Sequence, residues 1–173
     1  FGKQLKYLVG SKHGWLGAIG FSSSALQVKG RDSWIGWTSK ERKKTQHLVI
    51  NMARFLIRPS VKCRNLATRV LSMCCNQVAD DWFNRYKEKP VLMETFVDPA
   101  HFVGTSFLAG NWKKICKTAG RGRQDSLNKR AVGVKDMYVF PLTNKFRNIL
   151  CDGREKKRIE INIIKNTGQN WEN

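Results

Sequence analysis

The chain has 173 residues, 41% of them hydrophobic, with 32 basic against 13 acidic side chains and a net charge of +19. That length suits one domain, and that apolar share supplies a packed core, which excludes a chain disordered throughout. No apolar run reaches the ~18 residues of a membrane helix, so no membrane partner is expected.

The stretches LKYLVGS (Leu5–Ser11) and WLGAIGFSS (Trp15–Ser23) are short and apolar, and Lys12-His13-Gly14 separates them. This is a hairpin pattern, with glycine supplying the turn. SALQVKGRDSWIGW then mixes apolar and charged residues at helical spacing, and Ser39 ahead of Glu41, Arg42 and Lys43 predicts a short capped helix into Gln46. His47–Ile57 predicts a strand stopped by Pro59. From Asn65, a plausible N-cap, the residues Leu66, Val70, Leu71, Cys74, Val78 and Trp82 recur at spacings of three and four and predict a long core helix. Asp80-Asp81 reads as the cap of a second short helix ending near Lys89. Pro90 opens a strand over VLMETFVD, TSFLAGN predicts one or two helical turns, and Trp112–Thr118 and Val132–Leu142 predict two more strands.

Strands alternating with helices make an α/β (α+β) sheet protein. The domain is expected to span residues 1–143. Residues 144–173, with DGREKKR and a polar end, read as a basic linker or the start of a further domain. With Phe1 at its head, the sequence reads as a piece of a longer chain.

The basic excess is uneven. Residues 1–60 carry eleven basic and two acidic side chains, residues 61–112 six and five, and residues 113–158 fourteen and four. Two cationic blocks around a nearly neutral middle predict one continuous basic face, and DNA is the partner such a face most often serves. Lys113, Lys114 and Lys117 alternate along a strand beside the glycine-bearing loop Thr118–Arg130. There Arg121, Arg123, Lys129 and Arg130 offer donors to phosphate. Arg42, Lys43 and Lys44 offer similar chemistry, and the nearby Trp34 and Trp37 are candidates for stacking on unpaired bases as well as for core. A solvated charged surface is the plainer reading of each group.

Glu94, Asp98 and His101 are the catalytic candidates. Period-two alternation places Leu92, Glu94 and Phe96 on one face of their strand and Met93, Thr95 and Val97 on the other. Glu94 and Asp98 would then stand about 13 Å apart at ~3.3 Å per residue, too far for a carboxylate pair. A carboxylate between large apolar neighbours needs a cationic partner, a wet cavity or a raised pKa. Asp98, before a proline, equally suits a turn residue, and His101 a polar loop position. The five cysteines form no CxxC pair and the three histidines lie far apart, so no metal site is expected. An odd thiol count without a signal segment fits the cytoplasm.

The motifs WLGAIGFSSSALQVKGRDSWIGW, HLVINMARFLI, NLATRVLSM, ETFVDPAHFVGTSFLAGNW and GRGR, in this order over residues 5–142, resemble the DruA family. That family is bacterial and archaeal and takes its name from a component of the Druantia anti-phage system. Its members also occur fused to, or beside, insertion-sequence transposases, and the tail GQNWEN resembles the opening of a transposase catalytic chain. The family's biochemistry is unknown; the resemblance sets the DNA binding read from charge in a defence or mobile-element context, with a transposase domain or defence subunits as partners. A helix after a strand, then LMETFVDP and AGNW, is similar to the Mom type of GNAT acyltransferase. That similarity implies a GNAT-like mixed sheet flanked by helices, whose two central strands splay around acyl-CoA, with the pyrophosphate at the helix start, here Ser60–Arg69. The glycine-bearing pyrophosphate pattern is missing from SVKCRNLATR, so no cofactor is expected, and acetyl-CoA or another acyl-CoA stays as the alternative. Acyl transfer and a purely structural adaptor are the rival functions.

Overall fold

The computed structural model describes residues 2–120 and 133–151. Strands β1 (Gln4–Ser11) and β2 (Gly14–Ser23) form the expected hairpin, closed where Ser11 pairs with Gly14. Gly14 takes φ 114°, a conformation that glycine adopts without a Cβ penalty. Two short helices follow, α1 (Lys29–Ile35) and α2 (Ser39–Thr45). The cap of α2 is Thr38 rather than Ser39. Its hydroxyl accepts from the Glu41 N–H at 3.2 Å while Glu41 accepts from the Thr38 N–H at 2.8 Å, a reciprocal box that needs the residue three places ahead of the glutamate.

Strand β3 (Val49–Ile57) leads to α3 (Leu66–Tyr86), then β4 (Leu92–Val97), α4 (Thr105–Ala109), β5 (Lys113–Lys117), β6 (Asp136–Pro141) and α5 (Phe146–Leu150). The helix expected from Asp80-Asp81 does not start there, because α3 runs unbroken through both aspartates. Val78 and Trp82 continue its buried stripe, and Asp81 accepts the Tyr7 hydroxyl at 2.7 Å instead of capping anything.

The six strands stand in the order β1-β2-β3-β4-β6-β5, antiparallel except for the β3–β4 pair. The alternation read along β4 holds. Met93 and Val97 pack under α3 with Leu71, Val78, Trp82 and Tyr138, whereas Leu92 and Phe96 join the opposite cluster of Ile35, Val139, Phe146 and Leu150. Gly30 lets α1 lie close on β5, since a Cβ there would come within 2.5 Å of the Cys116 side chain. Phe146, Leu150 and Cys151, expected as linker, are instead buried in the core. The Leu150 carbonyl accepts from Thr45 Oγ1 at 2.9 Å and from Trp37 Nε1 at 2.8 Å, and Trp34 stacks on Phe146 with ring centroids 5.4 Å apart.

Candidate functional site

The parallel pair β3–β4 holds register over only three residue pairs, ending at Asn51 and Glu94. Just beyond, the β2–β3 register slips between Gly20 and Phe21, leaving Ala53 as the extra residue of a bulge. A bulge bends and twists its strand, and beyond Asn51 and Glu94 the two strands run on without pairing to Ile57 and Val97, which parts their carboxyl ends. Such a crevice outside the carboxyl ends is where open sheets with parallel strands commonly bind ligands. Two contacts span it. The Thr95 hydroxyl donates to the Met52 carbonyl at 3.0 Å, and Phe55 of β3 meets Phe107 of α4 edge-on at 6.1 Å.

On one side of the mouth lies the turn from β3 into α3. Asn65, the residue capping α3, is left-handed at φ 59° and gives no side-chain cap, and the first turn of the helix holds no acidic residue. Arg58, Lys62, Arg64 and Arg69 are all exposed on this turn and helix start. Cations gathered at the positive end of a helix repel it, and an anion bound among them would remove the conflict. Sequence reasoning missed these four. Its signal was there: residues 42–79 contain eight basic side chains and no acidic one. Dividing the chain at residue 60 cut that run in two.

On the other side stand Asp98 and His101. Asp98 accepts from the Ala100 N–H at 3.0 Å and meets His101 Nδ1 at 3.2 Å. The Ala100 bond first, then His101, hold its carboxyl below the usual range. This is the geometry of an aspartate turn with an exposed imidazole beside it.

Glu94 lies deeper, fully buried. One carboxylate oxygen accepts from the Ala25 N–H and the other from Arg31 Nη1, each at 2.8 Å. Burial pushes the Glu94 carboxyl up against the pull of Arg31. For Arg31 itself burial works against the charge, but Glu94 and Asp32 together carry its pKa up. The chain of charges continues outward, as Asp32 receives Arg31 Nε and Arg42 Nη1, each at 2.9 Å.

Lys113 and Lys117 lie exposed on the edge strand β5, and Lys43 and Lys44 are exposed on α2. Lys114 is tied to Asp136 at 2.6 Å, and that bond raises its pKa. Arg42, half-buried on α2, has its Nη1 bonded to Asp32. Arg121, Arg123, Lys129 and Arg130 lie outside the described residues. Among the described residues, Lys6 sits on β1 at one edge of the sheet, and Lys113 and Lys117 on β5 at the other. No cluster able to hold a metal ion occurs among the described residues, and no described helix is long and apolar enough to cross a membrane.

The fold is that of the GNAT acetyltransferases. Aminoglycoside acetyltransferase AAC(6')-Ib in complex with coenzyme A superposes with a TM-score of 0.51 at 13% identity, covering 80% of this chain and 66% of that chain. Its complex with ribostamycin and coenzyme A gives 0.51, 13%, 80% and 64%. A GNAT-family acetyltransferase from Bacillus cereus ATCC 10987 gives 0.48 at 7% identity over 79% of this chain and 69% of that one. The chain thus spans about two thirds of the length of these enzymes. At such identities the likeness is one of fold. No curated protein sequence matches the chain. The family model described as Druantia protein DruA matches residues 1–130, and the chain belongs to that family.

Proposed function

We propose that this domain binds DNA for an anti-phage defence protein, gripping the phosphate backbone from the mouth of the β3–β4 crevice. The observation that carries the reading is the acid-free run 42–79, whose Arg58, Lys62, Arg64 and Arg69 stand exposed at the crevice and the start of α3. Membership of the DruA family supports the defence setting. Phosphate contacts of this kind confer affinity without sequence choice, and each released counterion steepens the salt dependence. The test is fluorescence anisotropy with a labelled duplex across a salt series. The wild type is expected to lose affinity linearly on a log–log plot. Replacing all four residues by alanine should flatten that slope by about two to four, at about 0.9 per phosphate contact. An unchanged slope and affinity would remove this surface from the reading.

A second reading, transfer of an acyl group from acyl-CoA, is favoured by the early end of the β3–β4 ladder at Asn51 and Glu94. Against it stand the missing glycines at the start of α3 and the two contacts that span the splay. Acetyl-CoA at millimolar concentration should leave the melting temperature unchanged if DNA binding alone is the task. A rise of several degrees would favour the acyltransferase.

A further inference from the structure

Away from the crevice, an open pocket of about 260 Å³ lies between α1 and α2. That is smaller than the ~300–1,000 Å³ typical of sites for drug-sized ligands, and it suits a flat group of one or two rings. Trp37 supplies an aromatic wall, Asp32 a carboxylate, Arg42 a guanidinium, Ser33 and Thr38 hydroxyls, and Lys29 an exposed ammonium. The wall is rigid. Trp37 Nε1 is bonded to the Leu150 carbonyl at 2.8 Å, and the Arg31 guanidinium lies 5.3 Å from the indole centroid. Asp32 is held between Arg31 and Arg42, and Arg31 is anchored on the buried Glu94, so the polar side of the pocket is tied through the core to β4. Lys40 and Lys43 lie exposed on the adjoining helix.

An aromatic wall beside a fixed acceptor and a fixed donor matches the chemistry of an unpaired nucleobase, which offers a π-face for stacking and N–H and carbonyl groups on its edge. Strand-backbone phosphates would find the flanking lysines. We propose that this pocket receives one unpaired base of a bound DNA strand, against Trp37 and bonded through Asp32 and Arg42. The proposal rests on the DNA-binding reading and adds to it the class of substrate: single-stranded or locally unpaired DNA.

The test uses a 12-nucleotide single strand carrying one 2-aminopurine and the matching duplex, at one salt concentration, with wild type, Ser33→Leu and Ser33→Ala. Ser33 is exposed on α1, so leucine there occupies the pocket from its rim without entering the core, and alanine serves as the folded control. The wild type should quench the 2-aminopurine of the single strand. Ser33→Leu should weaken single-strand binding about tenfold, the scale of one lost stacked base, and leave duplex binding unchanged, while Ser33→Ala changes neither. If the wild type binds both but Ser33→Leu changes neither, or changes both alike, the pocket assignment fails while DNA binding stands. If the wild type binds neither, both readings fail. The wild-type measurement needs no variant: a bound strand whose 2-aminopurine stays as bright as in free solution overturns the proposal even if Ser33→Leu does not fold.

Discussion

At the scale of single residues, Glu94 shows how burial assigns a task to a side chain. Its face on β4 was legible from period two alone, and so was its need for a cation. The partner was not, because Arg31 lies 63 positions away on α1. A carboxylate with one oxygen on a guanidinium and the other on a backbone N–H holds the Ala25 segment and α1 onto the sheet. Glu94→Gln leaves the buried Arg31 charge facing a neutral amide, and removing one partner of such a pair typically costs about 3–5 kcal/mol. Urea denaturation should show that loss, with the affinity of the remaining folded protein for duplex DNA unchanged. A stable variant that has lost its DNA affinity would instead place Glu94 in the working site.

At the scale of elements, α3 carries a chemistry that its periodicity only half revealed. The stripe Val70, Leu71, Cys74, Val78 and Trp82 was readable, but Asp80-Asp81 looked like a boundary. Only the tertiary bond from Tyr7 shows that Asp81 serves the β1 strand from mid-helix. Two thiols face the core from this helix. Burial pushes Cys74 up to about 11 and Cys75 up to about 12, from an ordinary 9.0. In the unfolded chain these thiols release protons from about pH 9 upward, whereas the folded protein retains them. Their contribution to stability is therefore complete below that pH and is lost as the pH rises through the folded values. The melting temperature should fall between pH 8 and 11. Cys74→Ala/Cys75→Ala should start less stable yet fall less over the same range. Tyr7, raised by burial and then by its bond to Asp81, would account for part of the fall that remains. Parallel curves for the two proteins would show that these thiols are not the titrating groups.

At the scale of the whole molecule, the core runs past the boundary expected at residue 143. Phe146, Leu150 and Cys151 complete the cluster beneath α1 and α2, and the Leu150 carbonyl takes hydrogen bonds from both Trp37 and Thr45. A chain ending at residue 143 opens that cluster and leaves the Trp37 donor without its partner. It should melt well below a chain ending at 151, by ten degrees or more, given that two large side chains leave the core. Equal melting temperatures in differential scanning fluorimetry would show α5 to be an appendage.

What the sequence determined by itself was local: the hairpin at Gly14, the helical stripe from Leu66, the two faces of β4, and a cationic surplus too large for a neutral partner. Each rests on propensity, periodicity or charge, which are properties of neighbouring residues. The tertiary structure decided the rest. It joined Arg31 to Glu94, ended the pairing of β3 with β4 at Asn51 and Glu94, and tied Arg42 to Asp32. All of these depend on contacts between residues far apart in the chain. Such contacts are set by strand order and helix packing, and a five-residue helix such as α5 becomes stable only when the core receives it.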